Sequence, residues 1–219
     1  MKAVIFDMDG VIVDSEPIYN KVHADMLREF GITEFLDCPE DYTGMTSIAV
    51  FTKTRELYQL KQTIAEIAAY QRDIIIREIK KLEDEPIAGI RELLASLKKH
   101  KIKTAIASSS ERLFINTVVD KFGLHNYFDV IVSGDDIENS KPAPDIFLKA
   151  AHLLCVEPAN CLVIEDSKSG TIAAKAAAMK CVGFANPNSG KQDLSQADKI
   201  ISSIHEINIL EYIKTLNFK

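Results

Sequence analysis

Five stretches of the chain are short and almost wholly apolar: AVIF at 3–6, TAIA at 104–107, DVIV at 129–132, CLVI at 161–164 and CVGFA at 181–185. A weaker one, KIISS, follows at 199–203. Strands covered on both faces carry runs of this kind instead of a strict apolar–polar alternation. Helical spacing fills the gaps between them. Residues 88–99 (AGIRELLASLKK) and 111–122 each place apolar side chains on one face, and the Ala-rich stretch 169–179 is helical in composition. Residues 144–155 open with Pro144 and Asp145, a favourable first helical turn. Strand and helix alternate, which predicts an α/β fold with a parallel sheet, helices on both faces and right-handed crossovers.

The stretch from 15 to 86 breaks that alternation. Its periodicity is helical from Ile18 to Phe30, Ser47 to Tyr58 and Ile64 to Leu82, with no convincing strand. Gly31 closes the first of these segments, and Thr43-Gly44-Met45-Thr46 interrupts the chain before the second. LEDEPIAG at 82–89 reads as a linker. The expected organisation is a sheet core made of 1–14 and 87–219, with an all-helical domain, 15–86, inserted after the first strand. Extra helices packed on the sheet are the other arrangement this pattern allows.

Composition narrows the setting. Of 219 residues, 47% are hydrophobic and 26% charged, which suits a chain that buries a core without disulfides. The net charge of -6 argues against nucleic acid or an anionic membrane as the main partner, yet leaves room for a small phosphorylated ligand in a locally positive site. Cys38, Cys155, Cys161 and Cys181 form no CxxC pair and read as reduced, mostly buried thiols. The first apolar stretch stops at Asp7, too soon for a secretory leader, and no run of 18 apolar residues marks a membrane span. The expectation is a cytoplasmic protein, monomeric by default.

In parallel α/β sheets, ligands bind beyond the carboxyl ends of the strands. Asp7-Met8-Asp9-Gly10 follows AVIF, Ser108-Ser109-Ser110 follows TAIA, and Glu165-Asp166 follows CLVI; Ser140-Lys141-Pro142 precedes the helix at 144. Four separate segments are therefore expected to bring carboxylates, a hydroxyl and an ammonium to one edge of one sheet. Asp7, Asp9, Glu165 and Asp166 would repel one another without a cation, and an all-oxygen donor set favours Mg²⁺. Lys141, the Ser108 hydroxyl and the backbone N–H groups of Ser109 and Ser110 suit the oxygens of a phosphoryl group. One carboxylate would act as nucleophile, and a second, two residues away, as general acid and base. The residues alone do not choose between Asp7 and Asp9.

FDMDGVIVDSEP, IASSS, SKPAPDIFLKAA and VIEDSKSG, in this order, resemble the four motifs of the haloacid dehalogenase-like hydrolase superfamily. They span the chain. The placement of the insertion is similar to that in the β-phosphoglucomutase-like phosphatases, whose helical cap follows the first strand of a Rossmann-like core. The resemblance implies that Asp7 is the nucleophile and a Mg²⁺ ligand. It makes Asp9 the general acid and base, with its backbone carbonyl on the metal. Ser108, Ser109 and Lys141 would hold the phosphoryl group, with Lys141 also restraining Asp7. Asp166 would bind Mg²⁺, with Glu165 beside it directly or through water. Gly10 would permit a sharp turn. An acid at position 9 departs from the dehalogenase members of the superfamily.

The implied activity is Mg²⁺-dependent hydrolysis of a small phosphate monoester, foremost a sugar phosphate, through an aspartyl-phosphate. The alternative is a β-phosphoglucomutase-type sugar phosphomutase. Mutases that resemble this chain carry a cap His, Arg and Lys, where this sequence has Tyr19, Ser47 and Gln71. Those departures favour the phosphatase, although His23 lies one helical turn beyond Tyr19. Asp14, Ser15 and Glu16 read as the start of the first inserted helix, and Asp135-Asp136 as a solvated turn or a group near the metal. His100, His125, His152 and His205 show no metal-ligand spacing.

Overall fold

The computed structural model describes residues 1–36, 47–83 and 85–208. Cys38 and the Thr43–Thr46 interruption lie outside the described residues, as does Asp84 of the expected linker. The chain divides into two compact units, one made of Met1–Asp14 and Glu83–Lys219 and the other of Ser15–Leu82.

Among the described residues the larger unit contains six strands, β1 (Ala3–Phe6), β2 (Lys103–Ala107), β3 (Val130–Val132), β4 (Cys161–Glu165), β5 (Lys180–Phe184) and β6 (Lys199–Ile201). All neighbours pair in parallel, in the order β3-β2-β1-β4-β5-β6. This is a Rossmann-like doubly wound order. Its strands are nearly all apolar because both faces are covered. Ala3, Ile5, Ala105, Ala107, Cys161, Val163 and Cys181 share one core with Ile146, Phe147, Ala150, Ala173 and Ala174 of two helices. Val4, Phe6, Ile106, Leu162, Ile164 and Val182, the alternate positions, are equally buried. Burial drives the Cys161 thiol up to about 11 and the Cys181 thiol to about 12, so both stay protonated and inert.

The smaller unit holds α1 (Glu16–Glu29), α2 (Ser47–Leu57) and α3 (Ile64–Lys80). Thr63 and Glu66 close a reciprocal capping box at the start of α3. Helix α1 starts at Glu16 with Pro17 in its first turn, and Ser15 occupies the N-cap position without making a side-chain cap bond. The expected cap at Ser15 is therefore only positional; the pyrrolidine ring and the acidic first turn define this helix start. The core unit adds α4 (Ile90–Lys99), α5 (Arg112–Lys121), α6 (Asp145–Leu153) and α7 (Lys168–Ala176). Its return from the helical unit begins at Glu83, four residues before the sequence-based boundary. Pro86 is buried and the Ile87 N–H bonds to the Ile12 carbonyl at 2.9 Å, so the end of the expected linker is already core. Among the described residues no helix is long and apolar enough to cross a membrane.

Candidate active site

The strand order reverses between β1 and β4. The chain runs outward from β1 through β2 to β3, then returns to place β4 on the other side of β1. A crevice at the carboxyl ends is expected at such a point. Phe6 pairs with Ile164 there, and the Asp7 N–H continues the ladder to the Ile164 carbonyl at 2.9 Å. Asp7 thus sits beside Glu165 and Asp166 because of strand register.

One oxygen each from Asp7, Glu165 and Asp166 lie within 4.8 Å of one another, and all three residues are buried. Lys141, from the segment before α6, inserts its ammonium among them. Its Nζ lies 2.5 Å from Asp7 Oδ1 and 2.7 Å from Glu165 Oε1. Only 6% of the Lys141 side chain is exposed, against 8% for Asp7 and 1% for Glu165, so these contacts are shielded from bulk water. Phe147, on α6, lies under the ammonium at 4.9 Å. Burial pushes the Asp7 carboxyl up to about 8; Lys141 pulls it down, while Glu165 and Asp9 push it further up. Asp166 is also raised well above the carboxylate range, first by burial and then by Glu165 and Asp7. Lys141 is raised, because Asp7 and Glu165 outweigh its own desolvation.

Three carboxylates facing one ammonium leave a deficit of positive charge in a buried place. The donor set is oxygen only. Both properties fit a hard divalent cation of the Mg²⁺ type, which Asp7, Glu165 and Asp166 would hold.

Glycines make room for this arrangement. Gly10 has a φ of +71°, and a Cβ there would stand 2.0 Å from Asp166 Oδ2. Gly170, in the first turn of α7, lies so close to Glu165 that a Cβ would meet Oε1 at 1.7 Å. Ser167 caps α7 by accepting from the Gly170 N–H at 3.0 Å, and it also donates to Glu165 Oε2 at 2.9 Å. One serine therefore both starts the helix and aims the acid before it.

Asp9 faces a different set of groups. Just before the turn at Gly10, its Oδ2 accepts from the Ser110 hydroxyl at 2.7 Å and the Ser108 hydroxyl at 3.3 Å. The Ser110 N–H closes the loop onto Ser108 Oγ at 3.1 Å. Ser108 is fully buried, whereas Ser109 is exposed, and the second hydroxyl that reaches Asp9 is that of Ser110. The serine loop is wedged from behind: a Cβ on Gly134 would stand 2.3 Å from the Ser109 carbonyl oxygen. Arg112 holds the same corner by donating to the Ile131 carbonyl at 2.8 Å and pairing with Asp136. The Asp135 carboxylate accepts the Arg112 N–H. Asp135, exposed as a solvated turn would have it, and Asp136 are thus structural partners of Arg112 and not part of the carboxylate cluster. His100, His125, His152 and His205 are exposed.

The sequence alone does not mark the side chains of Ser110, Ser167, Asn186 and Ser189, nor the missing Cβ of Gly170. Ser167 was accessible as a serine directly before a helix, and Gly170 as a glycine beside an acid-bearing turn. Nothing local marks Asn186 and Ser189, which reach the site only through the fold.

The model of haloacid dehalogenase-like hydrolases matches residues 4–184. The chain belongs to the haloacid dehalogenase-like hydrolase family. This family member is 31% identical over 94% of its length to the whole of a phosphorylated carbohydrates phosphatase from Thermotoga maritima. It is 28% identical to hexitol phosphatase B of Escherichia coli, over 94% of this chain and 93% of that protein. Among solved structures, a β-phosphoglucomutase from Clostridium difficile superposes with a TM-score of 0.81 at 26% identity, covering 100% of both chains.

Proposed function

We propose that this haloacid dehalogenase-like hydrolase is a Mg²⁺-dependent phosphatase that cleaves small phosphate monoesters, foremost sugar phosphates, through an aspartyl-phosphate on Asp7. One observation carries the reading: Asp7 shares Lys141 with Glu165 and lies beside Asp166 at the switch point of the sheet. The carbohydrate and hexitol phosphatases among its relatives support the substrate class.

Asp7, Glu165 and Asp166, with the Asp9 carbonyl, would hold Mg²⁺, which when bound offsets negative charge on the phosphoryl oxygens and keeps Asp7 ionised. Lys141 neutralises the same oxygens and fixes the Asp7 carboxylate for attack. The Ser109 N–H, and the Ser108 hydroxyl once it turns from Asp9, donate to the phosphoryl group. Asp7 attacks phosphorus, the ester P–O bond breaks, and Asp9 gives its proton to the departing alkoxide. Asp9 then takes a proton from water, whose oxygen attacks the same phosphorus and releases Asp7 and inorganic phosphate. The helical unit acts as the cap that selects substrate and excludes bulk water.

Release of phosphate from a panel of sugar phosphates, nucleotides and phosphorylated acids, with Mg²⁺ and with chelator, tests the substrate class and the metal. Asp7→Asn is expected to lower hydrolysis of 4-nitrophenyl phosphate by at least about 1,000-fold with the circular dichroism spectrum unchanged. Activity surviving that change would refute the nucleophile. The likeness to the Clostridium difficile mutase favours a second reading, sugar phosphomutase. Supplying a hexose 1-phosphate with traces of the bisphosphate separates the two, because a mutase accumulates the 6-phosphate and a phosphatase accumulates free phosphate.

A further inference from the structure

Ser189 lies in the loop after β5, outside all four sequence motifs. It is buried, and its hydroxyl donates to Asp166 Oδ2 at 2.5 Å. The loop grips the nucleophile turn at the same place. Asn186, also buried, donates from Nδ2 to the Gly10 carbonyl at 2.9 Å and accepts the Asn188 N–H on Oδ1 at 2.9 Å. Gln192 ties the loop to α7, donating to the Ser189 carbonyl at 3.0 Å and accepting the Lys168 N–H at 3.1 Å. The space that a Cβ on Gly10 would fill is taken by Asp166 Oδ2 and by Ser189 Oγ, 2.0 and 2.8 Å from that position. Three segments distant in sequence therefore meet on one carboxylate.

We infer that Ser189 is a positioning residue for divalent-cation binding: its hydroxyl holds the Asp166 carboxylate in the orientation the cation needs. This rests on the proposed role of Asp166 as a metal ligand. A carboxylate free to rotate must be ordered when the ion binds, and a fixed hydrogen bond removes that cost beforehand. Partners of ligating groups commonly contribute about 10–100-fold in metal affinity. A serine that only knits its loop would leave the affinity untouched.

The test is calorimetric titration of MgCl₂ into the full chain and its variants, with thermal melting in chelator as a check on the fold. Wild type is expected to bind Mg²⁺ and Asp166→Asn to lose that binding. Ser189→Ala is expected to bind about 10-fold more weakly. Asn188→Ala, which removes the contact from the same loop to Asp14, should stay within about twofold of wild type, a span of less than 0.5 kcal/mol. Should Ser189→Ala melt early, Ser189→Cys carries the same comparison with a weaker donor in place. Loss of binding in Asp166→Asn but not in Ser189→Ala overturns the positioning role while leaving the proposed function intact. An equal loss in Asn188→Ala also overturns it, since loop order and not the hydroxyl would then be responsible. Unchanged binding in Asp166→Asn refutes the metal assignment itself, and the inference with it.

Discussion

Lys141 is one ammonium serving two buried carboxylates, and that sharing makes its removal costly. Met in its place would keep much of the apolar stem packed on Phe147 but leave Asp7 and Glu165 without their counter-charge. Breaking a buried pair from one side typically costs about 3–5 kcal/mol, because the remaining charge stays desolvated. Lys141→Met is therefore expected to destabilise the metal-free protein by about that amount at pH 8 in urea unfolding. The loss should be smaller at pH 6, where a protonated Asp7 no longer needs the ammonium. Its phosphatase activity should fall about 100–1,000-fold through lost stabilisation of phosphoryl charge. An equal loss of stability at both pH values would show that packing, not charge, is what Lys141 contributes. Asp7 and Asp9 were readable as candidates because charged residues at the mouth of an apolar run have no structural reason to be there, and Lys141 as an ammonium set just before a helix start. The different surroundings of the two aspartates were not readable. They depend on the fold, which sets Asp9, just ahead of the turn at Gly10, against the serine loop.

At the junction of β4 and α7, a strand end and a helix start are built from the same few residues. Ser167 caps the helix and holds Glu165, and Gly170 leaves the gap into which Glu165 fits. An isolated helix would gain about 1 kcal/mol from Gly→Ala. Here the added Cβ would collide with the Glu165 carboxylate, so Gly170→Ala should displace the acid from Lys141. The expected outcome is a fall in kcat/KM of at least about 10-fold together with a higher Mg²⁺ requirement. Steady-state kinetics across a range of Mg²⁺ concentrations measures both, and an enzyme left fully active would show that Glu165 need not occupy this position. The strands and helices were legible element by element, since burial on both sheet faces writes itself as apolar runs and helical faces as 3.6-residue periodicity. Their ends were less so. The linker reads as loop from 82 to 89, yet Pro86 is already buried and the Ile87 N–H already bonds to the Ile12 carbonyl of the core. The 186–189 loop carries no periodicity at all; its role comes from tertiary contacts to residues more than 20 and more than 170 positions away.

For the whole molecule, the doubly wound order explains why the acids converge: β1 and β4 must be neighbours, and the residues just past their ends must share one crevice. Convergence has a thermodynamic consequence. Asp7 is at about 8 in the folded chain against an ordinary value of 3.8, and Asp166 is displaced in the same direction. At these two sites the folded protein binds more protons than the unfolded one over this interval, so their contribution to the stability of the metal-free chain falls as pH rises from about 4 to about 8. The slope is at most about 1.4 kcal/mol per pH unit for each carboxylate involved. Lys141, raised above its ordinary 10.5, contributes no slope below that range. A divalent cation binds the deprotonated site and must displace those protons, so its stabilising effect grows with pH. The melting temperature in millimolar Mg²⁺ minus that in chelator is expected to be larger at pH 8 than at pH 6. Taking this difference cancels any effect of pH that is common to both conditions. Equal increments at the two pH values would mean that cation binding releases no proton from the cluster, and the carboxylates at the switch point would then not be its ligands.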